Sequence, residues 1–250
     1  MDLSNITIGE IVKTNYKTSD VFKKYGIDFC CGGNQSIAKV CEASNIDEKH
    51  LMDEVNKILN TTKEEGLPYD EWPIDLLASY VQKVHHKYVE QNIPVITGYL
   101  DKIVQVHGKH HPELLEIREL FKGCAGELTM HMKKEEFMIF PYVQKLTKLQ
   151  ENPSSPWQQP TFGSIENPIN QMEDEHTNEG ERFRKIIALS NNYTPPEGAC
   201  NTYIVTFQKL REFENDLHLH IHLENNILFP KAIALEKSLL ADVENKTSRV

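Results

Sequence analysis

The sequence predicts an all-α protein, a four-helix bundle preceded by a small helical domain, and three observations carry that expectation. From Ile74 onward apolar residues recur at three- and four-residue intervals in four long runs, the spacing that lines one face of a helix. No stretch alternates strictly as a half-buried strand would. The longest break between the runs falls between the second and third, so the four helices are joined with one longer crossing loop.

In chain order, short helices are expected over residues 7–14, 19–25, 36–44 and 48–60. Ser19, Ser36 and Asp47 stand where a first turn wants an oxygen cap, and Gly26 and Asn45 where a helix end wants a left-handed residue. TTKEEGLPYDEWP, residues 61–73, then combines Gly, two Pro and charge as linkers do. The expected organisation is a small domain over 1–62, a linker over 63–73 and a bundle over 74–245. The four long helices fall at residues 74–106, 112–149, 164–189 and 200–240. Pro94 should bend the first of them, because it removes a backbone donor and crowds the preceding turn. ENPSSPWQQPTFG, residues 151–163, is the long crossing loop.

Composition narrows the function classes. At 250 residues, 39% hydrophobic and 26% charged, the chain can bury a sizeable core. No basic stretch followed by an apolar run opens it, and no window approaches the ~18 apolar residues of a membrane span, so a soluble, cytoplasmic protein is expected. A net charge of -10 without a Lys/Arg cluster argues against nucleic acid as a partner. Cys30, Cys31, Cys41, Cys124 and Cys200 are odd in number and lack CxxC spacing, which reads as reduced thiols rather than a disulfide framework. Eleven histidines are many, and metal ligation is the commonest use of neutral imidazole.

An internal echo gives that excess a purpose. His131 and Glu135 are followed by Phe140-Pro141, and His220 and Glu224 by Phe229-Pro230, each as HxxxExxxxFP. Residues four apart on a helix project from one face about 6 Å apart along the axis, so each HxxxE offers an imidazole and a carboxylate to one point. Each copy is half a metal site. His85 or His86 on the first long helix and His176 on the third complete it. His85 and His86 point about 100° apart, so only one is expected to face the bundle axis.

Four imidazoles and two carboxylates suit a redox metal such as iron better than magnesium, calcium or a four-ligand structural zinc. Six protein ligands fit two ions about 3.5–4 Å apart, with both glutamates bridging and positions left for an oxo bridge and a small ligand. A ferritin-like site would repeat Glu-x-x-His, and only Glu173 and His176 have that spacing. The Phe-Pro pairs read as structural, a core aromatic followed by a residue that ends or bends the helix.

On these motifs the carboxy-terminal part resembles a hemerythrin-like domain. DFCCGG, residues 28–33, resembles the short di-cysteine domain that precedes it in the iron-sulfur cluster repair family, also called the repair of iron centres proteins. The resemblance implies His86, within HKYVEQNIP, together with His131, Glu135, His176, His220 and Glu224 as ligands to two non-haem iron ions, oxo-bridged. It places His107, in a VHG context, near the cavity, and Glu127 and Glu175 along the route to the metal. It also implies repair of iron-sulfur clusters damaged by nitrosative or oxidative stress, by supplying iron. The partners would be damaged or apo iron-sulfur proteins, with nitric oxide or oxygen as small ligands; no membrane partner is implied, and a homodimer is compatible with it. Rival readings are a nitric oxide reductase or peroxide-handling di-iron enzyme, and an oxygen or nitric oxide sensor.

The remaining chemistry-bearing residues are read plainly. His50, His110, His111, His218 and His222 are expected in solvent, and Cys41, Cys124 and Cys200 as ordinary small residues. Cys30 and Cys31 are different, because Gly32 and Gly33 should leave their thiols accessible to act as nucleophile, redox pair or soft metal ligand.

Overall fold

The computed structural model describes residues 6–61 and 67–247, with side chains through Asn60 in the first stretch and Asp242 in the second. The junction between the expected small domain and linker, at residues 62–66, lies outside the described residues. The order is four short helices, α1 (Ile8–Thr14), α2 (Thr18–Lys24), α3 (Ile37–Ser44) and α4 (Glu48–Thr61), and then four long ones. No strand occurs among the described residues, whose one β-bridge pairs Thr7 with Ser36.

The short helices start and stop as local chemistry directs. Thr7 and Glu10 form a capping box on α1, with Thr7 N–H to Glu10 Oε2 at 2.9 Å and Glu10 N–H to Thr7 Oγ1 at 3.3 Å. Ser36 caps α3 through the Lys39 amide, and Asp47 accepts from the His50 amide at the start of α4. Ser19 is not a cap: α2 begins one residue earlier and Ser19 is buried inside it. Gly26 (φ 68°) and Asn45 (φ 52°) end α2 and α3 in the left-handed region.

Three of the long helices change pitch partway. Helix α5 runs Ile74–Tyr80, widens to a π-turn over Val81–His86 and continues as Lys87–His107. Helix α6 runs Glu113–Lys134, widens over Glu135–Ile139 and continues as Phe140–Glu151. Helix α7 is Glu166–Leu189 without interruption, and α8 runs Asn201–Leu223, widens over Glu224–Leu228 and continues as Phe229–Thr247. The two Phe-Pro pairs therefore do not end their helices. In each, the Phe amide reaches back five residues, Phe140 to Glu135 O and Phe229 to Glu224 O, and the wide turn absorbs the disturbance of a proline that cannot donate. Pro94 also stays within a continuous helix, on an exposed position.

Helix α6 packs on α5 and α7, and α8 packs on α5, which closes the bundle. The interior has two apolar cores. One holds Phe121, Leu128, Phe183, Phe213 and Leu217; the other holds Leu77, Val143, Ile169, Met172 and Phe229. Between them lies a layer of buried histidines and glutamates. The first core does not stop at the bundle, because Ile8 and Phe22 from the N-terminal helices, and Phe29 and Cys30 from the loop between α2 and α3, are continuous with it. A buried Glu236 anchors α7, accepting from the Ile165 amide, Tyr142 Oη (2.7 Å) and Ser164 Oγ (2.6 Å). No described helix is long and apolar enough to cross a membrane.

Candidate metal centre

The polar layer draws one histidine from each long helix and a glutamate from two. His86 ends the π-turn of α5, His131 and Glu135 straddle the start of that of α6, His176 lies mid-α7, and His220 and Glu224 straddle the start of that of α8. All six are at most 3% exposed. Each glutamate stands between two imidazoles. Glu135 Oε2 is 3.3 Å from His86 Nε2 and 3.4 Å from His131 Nε2; Glu224 is 3.3 Å from His176 Nε2 and 3.1 Å from His220 Nε2. Two four-residue sets result, His86 with His220 and His131 with His176, and both contain Glu135 and Glu224. Within each set the ligand atoms lie within 4.8 Å of one another.

The hydrogen-bond inventory fits these residues to cations. His86 Nε2, both Glu135 oxygens and Glu224 Oε2 are buried without a hydrogen-bond partner, a costly state for such groups. The other ring nitrogens show which way the lone pairs face. His86 Nδ1 meets Glu136 Oε1 at 2.9 Å, His131 Nδ1 meets Glu175 Oε2 at 3.0 Å, and His176 Nδ1 meets Asn225 Oδ1 at 2.7 Å. Glu136 and Glu175 are both held below the ordinary carboxylate range and accept only. Against the cost of burial, Lys133 and His86 hold Glu136 down; the His131 hydrogen bond leads in carrying Glu175 to about 2. Each Nδ1 is then a donor, so Nε2 of His86, His131 and His176 offers a lone pair inward. His131 Nε2 and His176 Nε2 face each other at 2.9 Å, an arrangement that needs a proton or a cation between them.

The field at the centre attracts positive charge. Burial works against a charged His131, yet Glu135 leads the groups that carry its pKa up to about 10. Burial and the charge of Glu224 push Glu135 upward, and His131 with His86 outweigh them. Burial opposes ionisation of Glu224 too, but His220 and His176 hold it well below the carboxylate range. Metal ions compete with protons for these same lone pairs.

The other expected site residues fall unevenly. Glu175 touches His131 as described and also pairs with Lys134 at 2.5 Å. Glu127, a turn before His131, is largely exposed and pairs with Arg182 at 2.6 Å. His107 is not brought to the centre. It ends α5, roughly 30 Å along the helix from His86, with Nε2 at 3.2 Å from Cys200 Sγ. His85 is buried like His86, against the expectation that only one would turn inward. Its ring stacks on His220 and its Nδ1 pairs with Asp216 Oδ1 at 3.0 Å, while His86 meets the carboxylates. His222 is buried and His218 half-buried rather than free in solvent, and desolvation holds them neutral, pushed down to about 3 and about 4.

Cys30 and Cys31 sit against the bundle, and their thiols are less open than the sequence suggests. Gly33 is glycine for close packing, since a Cβ there would come 2.5 Å from Phe29 O and 2.7 Å from Asn226 Oδ1. Cys30 is 3% exposed and Cys31 half-buried, with their sulfurs 3.8 Å apart. Asp28 Oδ1 accepts from both cysteine amides and from the Cys30 thiol. The Cys31 hydrogen bond and burial keep that thiol protonated, well above its ordinary pKa. Asn225 Nδ2 donates to Cys30 O at 3.2 Å, so one side chain joins the thiol loop to His176.

Glu136, Asn225 and Asp216 were not singled out by the sequence. A signal for the first two exists: each directly follows the glutamate of an HxxxE, and each receives the Nδ1–H of a histidine from another helix.

Comparison with known proteins agrees with this geometry. Residues 77–232 match the family model described as the hemerythrin HHE cation binding domain, and residues 4–59 match ScdA_N, a domain of unknown function (DUF542). The chain is 31% identical over 225 residues to the iron-sulfur cluster repair protein ScdA of Staphylococcus haemolyticus, covering 90% of this chain and 96% of that one. It is 30% identical over 225 residues to ScdA of Staphylococcus epidermidis, with the same coverage. To the iron-sulfur cluster repair protein YtfE of Yersinia pseudotuberculosis it is 30% identical over 233 residues, covering 93% and 99%.

Proposed function

This chain belongs to the iron-sulfur cluster repair family, a hemerythrin HHE cation-binding domain behind an ScdA_N domain, and from that premise we propose that it repairs clusters damaged by nitrosative or oxidative stress. The observation that carries the reading is the pair of His2Glu2 sets sharing two buried glutamates, of which both Glu135 oxygens and Glu224 Oε2 lack a hydrogen-bond partner. Such a donor set would suit two oxo-bridged iron ions, with Glu135 and Glu224 common to both sets and His86 with His220, and His131 with His176, completing one set each. When bound, the ions supply labile, redox-active iron with room for a small ligand such as nitric oxide or oxygen.

The chain's own residues would do the rest. Glu136, Glu175 and Asn225 fix the ring orientation of three histidines, and Lys134 balances Glu175. We place the thiols in a small domain over 1–62 and the iron in a bundle over 74–245, joined by 63–73. Cys30 and Cys31, as soft donors, would accept iron and pass it to a damaged or apo iron-sulfur protein in the cytoplasm.

The test is to incubate iron-loaded protein with an apo iron-sulfur protein and follow cluster recovery by absorbance and client activity. Recovery that rises with the protein's iron and falls when both cysteines are replaced supports iron supply. If clusters do not recover while added nitric oxide is consumed catalytically, the reductase reading replaces it.

A further inference from the structure

Between the thiol loop and the end of α7 lies an open cavity of about 630 Å³, and none of the six candidate metal ligands lines it. Its buried wall is aromatic, formed by Phe29, Phe183 and Tyr193, with Cys30 beside them. Its more exposed rim carries Lys23, Arg184 and Arg211.

The lining is short of polar partners. Tyr193 Oη is buried, lying beside Glu214 but outside hydrogen-bond geometry, and His218 Nδ1 is buried 3.8 Å from Glu214, also unpartnered. Tyr193 reaches this position through a backbone conformation that bulky residues avoid: Asn191, Asn192 and Tyr193 are consecutively left-handed, with φ of 48°, 53° and 56°. The turn is held by Tyr193 N–H to Ser190 Oγ at 3.0 Å and Arg211 Nη2 to Asn192 O at 2.8 Å. Such a turn sets the Tyr193 ring in the cavity wall, with its hydroxyl buried beside Glu214.

The rim cations have donors to spare. Lys23 Nζ uses one bond, to Asn215 Oδ1 at 2.9 Å, and Arg184 faces Asp28 Oδ2 at 3.3 Å. Arg211 lies over the Tyr193 ring at 5.6 Å. Of the two acids in the lining, Asp28 gives Oδ1 to the cysteine amides and Oδ2 to Arg184, and burial favours the neutral form of Glu214.

We propose that this cavity binds a small organic molecule bearing two or more carboxylates. Its acid groups meet Lys23, Arg184 and Arg211, and its body rests on the aromatic wall of Phe29, Phe183 and Tyr193 with its far end against Cys30. The chemistry admits an acidic thiol, which would bring a thiol to the Cys30–Cys31 pair, or a plain dicarboxylate.

The experiment is isothermal titration of the full, iron-loaded chain with reduced glutathione, S-methylglutathione and glutarate, each in turn. Saturable one-to-one binding of at least one probe is expected, weakened about tenfold by Lys23→Gln, which removes a charge-assisted bond. Arg184→Gln, which removes an exposed rim cation and should leave folding and iron content intact, should weaken it several-fold. Binding of glutathione alone assigns the thiol form; binding of glutarate as well assigns the dicarboxylate form. No saturable binding of any probe up to about 10 mM, or binding that both variants leave unchanged, overturns the proposal. Iron content measured alongside keeps either outcome separate from the metal reading.

Discussion

Asn225 accepts the Nδ1–H of His176 at 2.7 Å with its carbonyl oxygen and donates to the Cys30 carbonyl at 3.2 Å with its amide nitrogen. The orientation of a candidate metal ligand and the seating of the thiol loop thus depend on one side chain. Asn225→Ala should weaken metal binding by roughly 10- to 100-fold, as loss of such supporting contacts commonly does. It should also raise the rate of amide hydrogen exchange around Cys30. Metal competition titrations and exchange measurements check both; an effect on neither would mean that Asn225 is a spectator.

His86→Ala should lower metal occupancy more than His85→Ala, although both rings are buried. His86 Nε2 lies 3.3 Å from Glu135, whereas His85 turns its Nδ1 to Asp216. Glu135→Leu and Glu224→Leu should be worse than either, since each removes a carboxylate common to both four-residue sets. Metal analysis of the four purified variants ranks them, and the reverse order for the two histidines would reassign the ligand.

Replacing both Cys30 and Cys31 with Ser should leave metal content nearly unchanged, because neither sulfur belongs to the two His2Glu2 sets. Transfer to an acceptor should slow. A chain starting at Trp72 is a different case, since Ile8, Phe22 and Phe29 share the core of Phe183 and Phe213. That truncation should lower the melting temperature by ten degrees or more in order of magnitude, exposing a large apolar face. An unchanged melting temperature would show that the bundle closes without its N-terminal cover.

Acid should destabilise the protein from about pH 6.5 downward. His218 and His222 are held neutral by burial, down to about 4 and about 3, while in the unfolded chain they protonate near 6.5. Below that point the unfolded state takes up protons that the folded state refuses, so their contribution is complete above pH 6.5 and falls away toward pH 4. Asp28 and Glu224, whose carboxyls are lowered, add to the loss at lower pH. His218→Gln should flatten the slope by up to one proton, about 1.4 kcal/mol per pH unit, in denaturation experiments at matched metal loading. A slope identical to the parent would show that His218 does not titrate with unfolding.

The helices and the doubled HxxxE were legible because periodicity and i,i+4 spacing are local properties. The His85/His86 choice required three dimensions: α5 packs on both α6 and α8, so His86 faces Glu135 and Glu136 while His85 faces Asp216 and His220, and both rings are buried. The burial of His218 and His222 was equally hidden, because they are covered by Phe29 from far away in sequence. The same long-range contact closes over Cys30, so Gly32 and Gly33 looked like openness where Gly33 instead permits close packing. His107 carried a motif match but no local signal of depth, and its place at the far end of α5 follows from helix length alone.

The most direct measurement is iron per chain in protein purified from iron-replete cells, paired with Mössbauer spectroscopy. Two iron ions per chain, coupled through a bridge, are expected from two His2Glu2 sets that share Glu135 and Glu224. One iron per chain, or stoichiometric zinc in its place, would contradict the account.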